Sequence, residues 1–225
     1  MTEPPPQAAP FYAAWGPEPG RNCPICPRLV AYRLQNRRAH PDWWNGPPPS
    51  WGDPEARLLV VGLAPGRMGA NRTGRPFTGD HAGVLLYETL LANGFARGRY
   101  EARPDDGLEL VDCAITNAVR CAPPDNKPLG SEEANCRPFL RARLAAYPRL
   151  RAVVTLGDVS RRNVLKALGA RLDAAPAGHG SETDVGPYRV FGSYHCSRLN
   201  TNTGRLTPAM FDAVFKAVRR FLDEV

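Results

Sequence analysis

Four short strand-like runs, three of them each followed by a helix-like segment, decide what this chain can fold into. Leu58-Leu-Val-Val-Gly62, Leu110 to Thr116, Ala152-Val-Val-Thr-Leu156 and Tyr188-Arg-Val-Phe191 read as strands. The first is a continuous apolar run, the pattern of a strand covered on both faces. Helices are predicted from Ala82 to Asn93, ended by Gly94, from Ser131 to about Tyr147, stopped by Pro148, and from Val159 to Leu168, ended by Gly169. Ser131 is the expected N-cap of the second, with Glu132 and Glu133 favourable in its first turn. Thr207-Pro208 supplies a cap and first-turn pair for a last helix, whose Met210, Phe211, Val214, Phe215, Val218 and Leu222 share one apolar face. Residues 170–187 read as a loop. Strands alternating with helices predict an α/β fold, a three-layer α/β/α sandwich around a central, mostly parallel four-stranded sheet.

A chain of 225 residues buries a full core and is read as one domain, 1–225, whose residues 1–22 form a Pro-rich N-terminal arm. Leu29 to Arg38 reads as a short helix. Residues 40–54, with Trp43, Trp44, Trp51 and Pro47-Pro48-Pro49, read as an ordered loop packed by its aromatics. No apolar run is long enough to span a membrane, and the start Met-Thr-Glu-Pro-Pro-Pro lacks the pattern of a signal peptide. A cytoplasmic monomer is therefore expected. The net charge of +7 rests on arginine, since lysine occurs only at Lys127, Lys166 and Lys216. The guanidinium fork suits phosphate, but an abundance of Ala, Pro, Gly and Arg explains the same excess as compositional bias.

The six cysteines do not suggest a disulfide framework in a cytosolic chain. Cys23-Pro-Ile-Cys26 is one close pair, and Cys121 and Cys136 form a second that the fold must bring to it. Four thiolates suit zinc or an iron-sulfur cluster, and ligand softness does not choose between them. Cys113 lies inside a predicted strand and reads as a buried small side chain.

Two glycine-rich, arginine-bearing segments follow predicted strands, Gly62 to Asp80 and His195 to Arg205. The first matches neither a P-loop nor a dinucleotide fingerprint, and as bare chemistry it is a generic anion-binding turn. Asp80 has the position of a helix cap, and Asn117 that of a turn residue after a strand. Together, however, Gly62-Leu-Ala-Pro-Gly66, Gly74-Arg-Pro-Phe-Thr-Gly-Asp80 and His195-Cys-Ser-Arg-Leu199 resemble the active-site motifs of the uracil-DNA glycosylase superfamily, most closely its family 5.

That resemblance implies a set of roles. The loop from Gly62 to Ala64 holds the base carbonyl through backbone amides, Phe77 stacks on the flipped base, and Asn117 reads its Watson–Crick edge. Most of the superfamily carries Asp, Glu or Asn where this chain has Ala64, so Asp80 is the carboxylate implicated in orienting water. Gly66 stands where stricter enzymes hold a tyrosine, which implies a roomier pocket. His195 stabilises the leaving base, and Leu199 is the wedge that replaces it in the stack. Arg198, which with Cys196 replaces two prolines of the family's motif, lies along the DNA with Gly66, Asn200 and Arg205. Cys23, Cys26, Cys121 and Cys136 are the implied ligands of a structural [4Fe-4S] cluster.

The expected activity is hydrolysis of the N-glycosidic bond of uracil and other deaminated or modified bases in DNA, opening base excision repair. No lysine falls in either motif, so a monofunctional enzyme is expected, without a Schiff-base lyase step. The alternative is a non-catalytic iron-sulfur or zinc protein that binds nucleic acid, for which Ala64 is the best argument.

Overall fold

Every residue of Leu58–Gly62, Cys113–Asn117 and Ala152–Leu156 is buried, as it must be when helices cover both faces of a sheet. The computed structural model describes residues 18–225, so most of the Pro-rich arm lies outside the described residues. In chain order the elements begin with α1 (Pro27–Ala39), β1 (Trp51–Gly52) and β2 (Leu58–Gly62), then α2 (Ala70–Thr73) and α3 (His81–Ala92). They continue through β3 (Ala96–Arg97), β4 (Glu109–Leu110), β5 (Cys113–Asn117) and α4 (Gly130–Ala146). Next come β6 (Ala152–Leu156), α5 (Asp158–Ala167), β7 (Glu182–Val185) and β8 (Tyr188–Ser193), and last α6 (Arg198–Asn202) and α7 (Pro208–Asp223).

The main sheet has the order β1-β5-β2-β6-β8-β7. Its four central strands are parallel, and they are the four expected from the sequence. The sheet has six strands rather than four, because β1 and β7 add antiparallel edges. Neither carries an apolar run. β1 is two residues long, and β7 falls inside the segment read as loop, held by β8 and by Arg189, which pairs with Asp184 at 2.7 Å and Glu182 at 3.1 Å. The expected strand from Leu110 to Thr116 is also divided. Leu110 pairs with Ala96 in a separate two-stranded ribbon, while Asp112 takes a left-handed conformation and ion-pairs with Arg57 at 2.7 Å.

Alternation along the buried strands supplies two cores. Leu58, Val60, Ile115, Val154 and Phe191 pack against Leu86 and Leu90 of α3 and Phe211, Phe215 and Val218 of α7. Leu59, Val61, Ala114, Val153 and Val190 pack on the other face against Leu140 and Leu144 of α4 and Val164 and Leu165 of α5. Each of these larger side chains contributes about 1.5–3 kcal/mol by leaving water. The α/β/α layering of the sequence reading is therefore correct.

Helix ends follow local chemistry. Thr207 caps α7 by accepting from the Met210 N–H at 3.2 Å, as its Thr-Pro start predicts. Ser131 does not cap α4, which starts one residue earlier. Glu132 reaches back to the Leu129 N–H at 2.8 Å, and its carboxylate is fixed by Arg28 at 2.7 Å, so the start is set by that ion pair.

Candidate active site

β2 continues toward β5 on one side, whereas β6 continues toward β8 on the other. The two neighbours therefore part at their carboxyl ends, where open α/β sheets bind their ligands. A cleft of about 600 Å³ opens there. It is lined by the loop after β2, the start of α3, the ends of β5 and β6, and the loop after β8.

Gly62 shapes the floor. It pairs with Asn117 in the sheet, and a Cβ there would lie 2.4 Å from Asn117 Oδ1 and 2.5 Å from Phe77 Cζ. Only glycine lets the ring and the amide occupy that space. Phe77 is held at φ 52°, a left-handed conformation that bulky residues avoid. Its carbonyl accepts from the Tyr100 hydroxyl at 3.2 Å, and Arg75 beside it is locked in a buried ion pair with Asp106 at 2.8 Å. The Arg75 guanidinium also lies 4.8 Å over Trp51, so this arginine of the glycine loop braces the fold and does not reach solvent. Strain at Phe77 of this kind persists where the surroundings over-determine it.

Asp80 does two things at once. Its Oδ1 accepts from the Gly83 N–H at 3.2 Å and caps α3. Its Oδ2 lies against Gly66 and Gly69, where added Cβ atoms would come within 2.9 and 2.2 Å. Burial pushes its carboxyl above the usual range, against the pull of the Gly83 and Ala82 N–H groups and His81. The cap is therefore real, and the residue also lines the cleft. The Cys196 thiol, pushed up to about 12 by burial and by the charge of Asp80, is buried behind it.

Burial pushes His195 down to about 4, so the imidazole is neutral at ordinary pH. Its Nδ1 and the Oδ1 of Asn117 are both buried and have no hydrogen-bond partner among the described residues. Both residues line the cleft, and an orphaned polar atom on each is unusual, because buried polar groups are almost always satisfied. The Phe77 and His195 rings lie 6.2 Å apart.

The loop after β8 forms the short helix α6, which the sequence reading did not foresee. Ser197 caps it, and the Asn200 amide donates to the His195 carbonyl at 2.8 Å, fixing the histidine's backbone. Arg198 and Leu199 line the cleft, and Leu199 is 72% exposed. Arg205 stands apart, stacked 4.6 Å over Tyr194 beside an adjoining cleft of about 370 Å³ that Asn200 also lines. His81 joins the two loops through a 2.9 Å hydrogen bond to Thr201. Met68, Asn126 and Asp158 also line the cleft and went unmarked in the sequence. A large apolar residue between Arg67 and Gly69 in a glycine-rich loop was a legible signal for Met68.

Cys23, Cys26, Cys121 and Cys136 come together around one small buried cavity, although the two pairs are distant in sequence. Every sulfur meets an N–H donor. Arg33 reaches Cys121 at 3.8 Å, Asn135 reaches Cys26 at 3.6 Å, the Arg120 N–H reaches Cys136 at 3.4 Å, and the Ile25 N–H serves Cys23. Burial raises all four thiols, Cys121 to about 12, and repulsion from neighbouring cysteines adds to the rise at Cys26, Cys121 and Cys136. They ionise together only if a positive group sits among them. Among the described residues no three His, Cys, Asp or Glu side chains are arranged around a single metal ion. Four thiols with N–H donors to their sulfurs are a donor set that suits a thiolate-bound metal group. Cys113 is buried inside β5, away from this cavity, as its sequence position suggested. Ala64 lines the cleft and packs against the cysteine core, so it offers an apolar contact and no polar group.

Comparison with known proteins agrees with this geometry. The family model described as the uracil DNA glycosylase superfamily matches residues 49–219. The chain belongs to the uracil-DNA glycosylase superfamily. Among its relatives in the superfamily, a type-5 uracil-DNA glycosylase of Pyrobaculum aerophilum is 48% identical over 83% of this chain and 83% of its own length. One of Thermus thermophilus is 44% identical over 88% of this chain and 93% of its own length. A type-4 uracil-DNA glycosylase of Pyrobaculum aerophilum is 31% identical over 68% of this chain. Both type-5 relatives match the chain closely over most of its length.

Proposed function

We propose that the protein is a monofunctional DNA glycosylase that removes uracil and a range of other altered bases, acting as a single-domain monomer. The observation that carries this reading is the pair of orphaned atoms, Asn117 Oδ1 and His195 Nδ1, lining one cleft with Phe77 and Asp80. A base extruded from the stack brings the donors and acceptors they lack.

In this reading the extruded base stacks on Phe77, and Asn117 pairs with its Watson–Crick edge, since an amide both donates and accepts. As the glycosidic bond breaks, negative charge grows on the base and positive charge on the sugar. The neutral imidazole of His195 supports the leaving base, and one such preorganised donor contributes about 3 kcal/mol. Asp80 Oδ2 orients water and favours the cationic sugar. Among the described residues no lysine lines the cleft, which favours hydrolysis without a Schiff base. Arg198 and Arg205 meet phosphates and Leu199 fills the vacated position in the stack. Asn200 acts by holding His195 in place.

The width of the cleft favours a broad range of bases. Gly66 contributes differently from what the sequence implied, because the space beside it is filled by Asp80 Oδ2. We further propose that the four cysteines hold a [4Fe-4S] cluster. Its contribution is structural, joining α1 to the loop after β5, and no step of the reaction passes through it.

The test is single-turnover excision from DNA carrying uracil, hydroxymethyluracil or hypoxanthine, read by alkaline cleavage of abasic sites. Wild type is expected to act on uracil and at least one other base. Asp80→Asn keeps the helix cap, since Asn caps about as well, yet is expected to lose about a hundredfold or more in rate. A near-normal rate in that variant rejects Asp80 as the water-orienting group. Absence of abasic sites with every substrate rejects the enzyme and leaves a nucleic-acid-binding protein.

A further inference from the structure

Two exposed apolar side chains stand among the residues that line the cleft, next to Arg67 and Arg198 in sequence. Leu199 rises from the loop after β8 and is 72% exposed. Met68 rises from the loop after β2 and is 53% exposed. β2 and β8 flank β6, so the two loops spring from strands roughly 10 Å apart.

Met68 is held, although it is exposed. Arg67 Nη1 meets its thioether sulfur at 3.6 Å, and Arg72 Nε donates to its carbonyl at 2.8 Å. Arg67 is anchored in turn by Asn36 Oδ1 at 2.9 Å, by the His40 ring at 3.0 Å and by Trp43, over whose ring it lies at 5.3 Å. Trp43 stacks on His40 at 3.8 Å with its plane only 7° away. The methionine is thus the outer end of a packed column rising from α1. Such rigidity is spent to no purpose on a side chain that only meets water. Arg67, Arg72 and Arg198 have no carboxylate partner among the described residues, so their positive charge is not neutralised within the protein.

We propose that Met68 is a second wedge, inserted into the duplex beside the extruded nucleotide from the lip opposite Leu199. Apolar side chains pushed between base steps, with arginines on the backbone around them, are how proteins unstack and kink DNA. Two wedges from opposite lips hold the gap open on both sides of the flipped base. This rests on the reading that the cleft receives that base.

The test separates unstacking from everything else by comparing substrates. Met68→Ala is expected to slow single-turnover excision about tenfold from a uracil–adenine duplex, and less from a uracil–guanine mismatch. It should change nothing on single-stranded DNA, where no pair or stack needs opening. Met68→Leu should restore the duplex rate, and the melting temperature of both variants should match wild type. In a duplex carrying the uncleavable 2′-fluorodeoxyuridine beside 2-aminopurine, the fluorescence rise on binding should fall in Met68→Ala. Equal loss on duplex and single strand overturns the proposal, because Met68 then only shapes its loop. So does an unchanged duplex rate. If wild type excises from no substrate, the functional reading fails, and the 2-aminopurine signal alone still decides the wedge.

Discussion

Replacing Gly66 with alanine tests whether Asp80 is placed by the glycines that face it. The new Cβ would stand 2.9 Å from Asp80 Oδ2, a distance that normal contacts do not allow. The carboxylate is the far end of a side chain and yields before the backbone does, so the fold survives and the oxygen moves by roughly half an ångström. Misplacing a catalytic group by 1 Å costs about a hundredfold, so a shift of this size should cost about tenfold. The backbone at Gly66 does not have positive φ, so alanine adds no conformational strain. Single-turnover excision of uracil would measure the rate, and a thermal melt would show that stability is kept. The decisive comparison is with Asp80→Ala. In that background the space is empty, and Gly66→Ala should have no further effect. An equal tenfold penalty in both backgrounds would mean that Gly66 acts on the base or the DNA, refuting the cradle. Tyrosine at 66 should abolish activity outright, not merely narrow the range of bases.

Two further outcomes follow. Burial moves His195 from 6.5 to about 4, so the native state refuses a proton that the unfolded chain accepts below pH 6.5. Its contribution to stability is whole above pH 6.5 and is lost as pH falls toward 4, by about 1.4 kcal/mol per unit. Denaturation of His195→Gln across that window should show a flatter pH dependence, and an unchanged slope refutes the assignment. Protein purified without oxygen should be brown with about four irons per chain. Cys121→Ser should lose the iron and lower the melting temperature, while Cys113→Ser should keep the metal. Stoichiometric zinc with no iron refutes the cluster.

The parallel strands were legible because burial on both faces leaves a mark that local sequence cannot hide, as in Leu58–Gly62. β7 left no such mark, since its Glu182, Thr183 and Asp184 face solvent or only partly face the core. The site residues stood out as glycines, an asparagine and a histidine at strand ends. What the sequence withheld was the matching of parts. Gly66 looked like room for a base, and only the folded chain shows Asp80 in that room. Arg75 stands in the glycine-rich loop, yet its partner is Asp106, far along the chain. Asn200 likewise spends its amide on the His195 carbonyl. Partners so distant in sequence leave no local pattern from which to be inferred.

The two short edge strands have a consequence of their own. Left as four strands, the sheet would end on β5 and β8, each offering unpaired backbone groups to any passing chain. Such edges template pairing between molecules. β1 covers two residues of β5 and is preceded by Pro47-Pro48-Pro49, whose missing N–H groups cannot extend a ladder. β7 covers β8 and presents Glu182 and Asp184, both paired with Arg189 of its neighbour. A newcomer docking on that side would meet a row of charged side chains before reaching any backbone. The edges thereby oppose strand pairing between copies of this chain.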